Sequence, residues 1–556
     1  MKHHWHPETR GLMDRRLFLG SGSLAAVGFF ASGYFTQLAA QDARGLSTTA
    51  AVSTTGGRLR GLVRYGVNQF WGVPYGASTA GNNRFMPPVK PTPWTGVRDA
   101  FEVRERAPQD AGGPISEVWS LDRREPMGED CLSINIFTPG LGGGPRPVMV
   151  WLHGGGFSGG SGNWLLYDGT NLARKEDVVV VSVNHRLNLF GFLHLADLGA
   201  GEKWASSSNV GMQDVVAALA WIKDNIAAFG GNPGNVTIFG QSGGGGKVTT
   251  AMAMPSAKGL FHRAIAMSGS ALRGATRENA TRAAEQFLAR IGVKPGELDQ
   301  IQKMPWRQLQ EAFFARPGIQ GLGNGPVVDG KSLPTDQWYP NAPEVSADVP
   351  LMQGSTETED GWSDPPPPLE MPEEEMLTRV KRITRDDEAK AKELISLYRK
   401  IHPGITNTDV WLIMNSDNTR RANAQTLGEL KATQGKAPSY LYYFTWRSPV
   451  HNGQMKSYHT LDIPFVLYNI DVAASMTGSG QDRYALAHKM SAAWAAFARH
   501  GNPNHPDLPK WPAFNTADRA TMILGSECKV VNDPNREERL ALRTLREPAR
   551  TSSAGA

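Results

Sequence analysis

Val236-Thr237-Ile238-Phe239-Gly240-Gln241-Ser242-Gly243-Gly244 is the stretch on which the reading of this chain turns. Four β-branched or aromatic residues predict a strand buried on both faces. The following Gly240-Gln241-Ser242-Gly243-Gly244 fits G-x-S-x-G, and the run of glycines continues to Gly246. A serine on a tight strand-to-helix turn lifts its hydroxyl above the sheet, and only small flanking residues tolerate that backbone. Ser242 is therefore the candidate nucleophile. A phosphate-binding glycine loop is the competing reading, because Lys247 follows the glycines. Such a loop wants Ser or Thr after its lysine, and Val248 stands there instead.

Upstream, Pro147-Val148-Met149-Val150-Trp151-Leu152 predicts a strand that runs into His153-Gly154-Gly155-Gly156-Phe157. Hydrolysis of an ester passes through an oxyanion, and backbone N–H groups of a glycine loop can approach and stabilise it. Val178–Val183 is a second buried-strand candidate. Met212, Val215, Leu219, Ile222, Ile226 and Phe229 recur at three- and four-residue steps, which predicts a helix from about Gly211 to Phe229. Further strands are expected at Ala264–Met267, Pro350–Gln353 and Tyr440–Thr445, and a hairpin over Gly57–Gly76. Strands alternating with helices imply an α/β fold with a mostly parallel sheet covered on both sides. Between Asp364 and Arg399, four prolines (Pro365–Pro368) precede a charged helical stretch, read as an insertion over the sheet.

Composition excludes several classes. Lys and Arg number 58 against 53 Asp and Glu among 556 residues, a net charge of +5, with no basic run interleaved with aromatics. Nucleic-acid binding is not expected. The 2 cysteines, Cys131 and Cys528, make neither a disulfide scaffold nor a thiolate metal site. His3, His4 and His6 lack a carboxylate or thiolate partner at useful spacing, and no metal or organic cofactor is expected. Asp14-Arg15-Arg16-Leu17-Phe18-Leu19 precedes a weakly apolar Gly/Ala/Ser-rich stretch to about Phe35. The pattern reads as a twin-arginine export signal over residues 1–44, with the product periplasmic or secreted. No later run is long and apolar enough to cross a bilayer. Residues 45–550 are read as one domain and 551–556 as a short tail.

With these motifs quoted, the chain resembles the type-B carboxylesterases, a group that includes bacterial esterases and cholinesterases. The likeness extends from Gly57 to about Leu540. It rests also on Phe70-Trp71-Gly72-Val73-Pro74-Tyr75, Glu129-Asp130-Cys131-Leu132, Asn184-His185-Arg186, Asn209-Val210-Gly211-Met212-Gln213-Asp214 and Phe229-Gly230-Gly231-Asn232-Pro233. The resemblance implies an α/β-hydrolase fold and a small-molecule ester substrate. It implies a triad of Ser242, Glu359 and His459, with Gly155, Gly156 and Gly243 lending N–H groups to the oxyanion. His459 lies in Tyr458-His459-Thr460-Leu461-Asp462, and the acid lies in Gly354-Ser355-Thr356-Glu357-Thr358-Glu359-Asp360-Gly361. Ungapped spacing selects Glu359, Asp360 is the alternative, and Glu357 reads as a solvated loop charge. Two ion pairs, Arg84 with Glu129 and Arg186 with Asp214, are also implied.

The chain departs from the family at Gln241, where Glu is usual, and at Gly243, where Ala is usual; neither side chain is expected to enter the chemistry. Ala107 stands where the partner of Cys131 would be, so the family's early disulfide is expected to be missing, with Cys131 a buried small hydrophobe. Amides, thioesters and lactones remain open as substrates of the same triad. A non-catalytic cholinesterase-like binding protein would be expected to lack the serine that is intact here.

Overall fold

The computed structural model describes residues 40–41, 47–110, 125–199, 201–323, 325–361 and 366–546. The export-signal reading of residues 1–44 and the tail of 551–556 fall outside the described residues, apart from the two-residue strand Ala40–Gln41.

The central strands are β1 (Val67–Pro74), β2 (Ser133–Thr138), β3 (Arg146–Leu152), β4 (Val179–Val183), β5 (Gly231–Gln241), β6 (Arg263–Met267), β7 (Leu351–Thr356), β8 (Ser439–Phe444), β9 (Ala520–Leu524) and β10 (Lys529–Asn532). Their order across the sheet is β1-β2-β4-β3-β5-β6-β7-β8-β9-β10, and short strands at Ala40–Gln41, Ser47–Thr48 and Leu62–Arg64 extend the β1 edge. From β4 to β9 every neighbour is parallel, whereas both flanks are antiparallel.

Alternation along β3 explains why its sequence is apolar throughout. Val148, Val150 and Leu152 enter one core, and Met149 and Trp151 enter the core on the opposite face. A parallel strand covered on both sides has no solvated face to make polar. The first core is closed by α1 (Val210–Asn225), which buries Met212, Val215, Leu219 and Ile222. The expected helix ends earlier than its periodicity suggests, because Ile226–Phe229 tightens into a 3₁₀ turn capped by Gly230 at φ 77°. The second core is closed by a later helix, Asp482–His500, through Leu486, Met490, Trp494 and Phe497.

Two expectations need correction. The Gly57–Gly76 region is not one hairpin: Gly57–Arg60 pairs with Val52–Thr54 in a separate small sheet. Only Leu62–Arg64 and β1 form the hairpin on the large one. The inserted region is also larger than its charge pattern indicated. It comprises Glu373–Ile383, Glu388–Ile401, α2 (Asn407–Asn418) and α3 (Arg420–Gln434). The first three of these share a hydrophobic cluster of their own around Met376, Leu394, Tyr398 and Ile413. The fourth, α3, packs on β7 and β8.

Both implied ion pairs are present and buried. Arg84 grips Glu129 through two bonds of 2.6 Å. Arg186 donates to Asp214 at 2.8 and 2.6 Å from its guanidinium, and at 3.0 Å from its backbone N–H. Cys131 and Cys528 are both free and buried, and Ala107 is buried as well.

Candidate active site

Ser242 lies between the end of β5 and the helix Gly243–Ala253, with φ 58° and ψ −124°. This is a strained conformation for a residue with a Cβ, sustained only where the surroundings over-determine it. They do so here: Ser242 N–H donates to Met267 O at 2.8 Å, and Gly246 N–H donates to Ser242 O at 3.0 Å. The helix starts so close to β3 that a Cβ at Gly244 would stand 2.0 Å from Leu152 O. Glycine is required there.

The His153–Phe157 loop leaves the end of β3 beside this elbow. Gly155 and Gly156 take φ of 82° and 60°. A Cβ at Gly154 would lie 3.5 Å from Ser242 Cβ, and one at Gly243 would lie 2.1 Å from Gly156 O. The structure thus sets Gly156 against Gly243 and Gly154 beside Ser242, with Gly155 between them in the loop. Lys247, one turn after Gly243, does not face outward as a phosphate ligand would. It is buried and donates to His153 O at 2.8 Å, with its Nζ 5.7 Å from the centre of the Phe157 ring. Burial lowers its pKa to about 7. The rings of His153 and His185 stack nearby at 5.0 Å. Burial first, and the Lys247 charge second, hold both well below the usual histidine range.

On the other side, His459 Nδ1 lies 2.5 Å from Glu359 Oε2, and His459 N–H donates to Glu359 O at 3.1 Å. Thr356 N–H donates to the second oxygen, Oε1, at 2.9 Å. Asp360 points elsewhere, toward the Asn415 amide. Glu357 is half-buried and paired with Arg447 at 2.9 Å, so it is not the freely solvated charge its loop position suggested. Burial would raise the Glu359 pKa, but the His459 ring and the Arg420 guanidinium outweigh it and keep the carboxyl low. Burial, with Arg420, lowers that of His459 against the pull of Glu359. Three residues on, Asp462 is buried and accepts from Tyr442 Oη at 2.9 Å. Burial and the Glu359 charge raise its pKa to about 7.

The Gln241 side chain, not expected to enter the chemistry, lies against the His459 ring. Its amide nitrogen lies 3.2 Å from Nδ1 and 3.4 Å from Nε2 of His459. A near-equal approach to both nitrogens is packing against the ring more than one directed bond. Glu359 is the ring's directed hydrogen-bond partner, and the Gln241 amide packs against its edge. Motif reading also missed Ser416, whose Oγ accepts from Glu359 N–H at 2.8 Å, and Arg420, whose Nε lies 3.4 Å from Glu359 Oε2. No motif surrounds either residue. Both lie beyond the charged stretch that ends at Arg399, so the sequence offered no cue to them.

This geometry can be set beside known proteins. The profile of the Carboxylesterase family matches residues 48–543. The chain belongs to the carboxylesterase family. The para-nitrobenzyl esterase of Bacillus subtilis (strain 168) is 34% identical over 89% of this chain and 99% of its own. The phenmedipham hydrolase of Pseudarthrobacter oxydans is 31% identical over 90% of this chain and 100% of its own. Among solved structures, an esterase of Clostridium hathewayi that hydrolyses aliphatic aromatic polyesters superposes with a TM-score of 0.77 at 32% identity, over 89% of this chain and 98% of that one. This carboxylesterase is accordingly an α/β-hydrolase that cleaves carboxylic esters. Among the described residues, no helix is long and apolar enough to cross a membrane, and no group of three or more His, Cys, Asp or Glu is placed to hold a metal ion.

Proposed function

We propose that this carboxylesterase works by two-step acyl transfer, with Ser242 as nucleophile, His459 as general base and acid, and Glu359 as the group that orients the imidazole and stabilises its charged form. The observation that carries the reading is the 2.5 Å contact of Glu359 with His459 Nδ1, which leaves Nε2 as the base, beside a strained serine next in chain to a residue touching that ring. His459 Nε2 takes the proton of Ser242 Oγ as it attacks the ester carbonyl. The N–H groups of Gly155, Gly156 and Gly243 hold the oxyanion. As the C–O bond breaks, the same proton goes to the leaving alcohol. Water then attacks the acyl-enzyme by the reverse proton path and releases the acid. Glu359 fixes the tautomer and supports the imidazolium at both stages. The Ser242–Nε2 bond forms as substrate enters; catalytic hydrogen bonds commonly tighten only in the complex.

Ser242→Ala should leave a folded protein with almost no turnover, and an organophosphate should label Ser242 alone in the parent. A folded Ala variant that keeps more than a few per cent of activity refutes the assignment. Aryl esters of increasing acyl length, beside matched amides and thioesters, would define the substrate range. We also propose export by a twin-arginine route, on the strength of Arg15-Arg16. Replacing both by Lys should hold active enzyme in the cytoplasm, and undiminished export would count against it.

A further inference from the structure

The corner between α2 and α3 grips the acid loop at three points. Asn415 holds the Asp360 carboxylate, Ser416 Oγ accepts from Glu359 N–H at 2.8 Å, and Arg420 Nε stands 3.4 Å from Glu359 Oε2. The last contact is the unusual one. It falls on the oxygen already bound to His459 Nδ1 at 2.5 Å, while Oε1 is committed to Thr356 N–H. One carboxylate oxygen therefore serves two partners, the His459 ring and a fixed cation. The neighbouring Arg421 is directed away, to Asp417 at 2.8 Å and over the Tyr443 ring at 3.9 Å. Arg447 is engaged by Glu357 and Asp409. This leaves Arg420 as the guanidinium that meets the Glu359 carboxylate. Its side chain is 33% exposed, against 0% for Glu359, so its charge is open to solvent and the one it meets is not.

We infer that Arg420 is a positioning residue that shares Glu359 with His459 and so sets the pH at which His459 becomes a base. The inference rests on the triad assigned above. Its physical content is competition: a fixed positive charge beside Oε2 draws off part of the support that the carboxylate gives the imidazolium, and it repels that imidazolium directly. The other charged or titratable groups facing the ring pull differently. Glu359 and Asp360 favour the protonated ring, and Asp462, bonded to Tyr442, stands behind Glu359. With the guanidinium in place, His459 loses its proton at lower pH, and the enzyme keeps its base further into acid.

The test is the pH dependence of kcat/KM for a p-nitrophenyl ester in the parent and in Arg420→Gln and Arg420→Lys. The acid-limb midpoint should rise by about half a unit to one unit in the Gln variant, a modest share of the shift a near charge can impose. It should stay within a few tenths of the parent in the Lys variant. In the parent itself, raising salt from about 0.05 to about 0.5 M should move the midpoint upward, because salt screens the exposed guanidinium more than the buried carboxylate. That arm needs no variant to fold. A Gln variant with parental midpoint, a rate loss uniform across pH, or a parental midpoint that ignores salt would overturn the inference. Failure of the triad itself would look different: turnover in Ser242→Ala, whatever the Arg420 variants do.

Discussion

Around Gly154–Gly156 and Gly243–Gly246 the site is made of backbone, whereas around Glu359 and His459 it is made of side chains. On the first side the proposed working atoms are amides, the constraint is close approach, and the residues are consecutive in sequence. On the second, Glu359, His459, Arg420, Ser416 and Gln241 come from separate stretches, and each contact depends on the packing of a different element. Backbone construction demands glycine at particular positions and so writes itself into a motif. Side-chain construction can be met in many ways, and it leaves little trace in any one segment.

The difference can be broken or sharpened by substitution. The largest effect is expected in the side-chain half. Glu359→Gln should lower kcat by about ten-thousand-fold, because a carboxamide supports neither the tautomer nor the imidazolium. Asp360→Asn, which removes a charge that does not touch the ring and leaves an oxygen able to accept from Asn415, should cost no more than a few-fold; steady-state kinetics on the two variants reads the contrast. Next comes the stability of the supports. Arg186→Met strands Asp214 fully buried beside the backbone half, and urea denaturation should register a loss of about 3–5 kcal/mol. Arg447→Met, whose own side chain is 43% exposed against 18% for Glu357, should cost less, about 1–2 kcal/mol, because solvent reaches the charge it removes.

How tightly the backbone half is closed can be read at Gly243. Alanine is the family's usual residue at position 243, yet here its Cβ would stand 2.1 Å from Gly156 O. Gly243→Ala must therefore push the oxyanion loop aside. We expect kcat to fall about ten- to a hundred-fold with KM little changed, a partial loss of one oxyanion donor. Parental kcat would mean that the loop yields freely.

A smaller effect, and one that depends on pH, concerns Lys247. Its pKa is about 7 in the fold and its ordinary value is 10.5. Below pH 7 both folded and unfolded chains hold the proton, and the full cost of the buried charge weighs on the fold. Above it the folded form sheds the proton while the unfolded chain keeps it, so stability rises with pH through this window. Between pH 7 and 8 the parent should gain about 1 kcal/mol relative to Lys247→Met, measured by chemical denaturation at each pH.

The same contrast governs how much could be read in advance. The strand into Ser242, the strand into His153 and the glycine loop were legible from residues alone, because buried parallel strands and close backbone approaches restrict composition. The choice of Glu359 within its loop, and both buried ion pairs, needed the family likeness. The Gln241 contact was missed: position 241 was read only as a departure, and a neighbour in chain says nothing about which ring a side chain reaches. Arg420 and Ser416 were invisible for another reason. They follow Glu359 by about sixty residues, on helices whose orientation is fixed by the insertion's own core and by α3 lying on β7 and β8.

The two buried, unpaired cysteines carry one more consequence. The chain has 2 thiols, and each is sealed in a core. Burial, the largest influence on both, raises their pKa and leaves little thiolate to react. Maturation of this enzyme therefore needs no oxidant and no disulfide isomerase, and a reducing environment takes nothing from it.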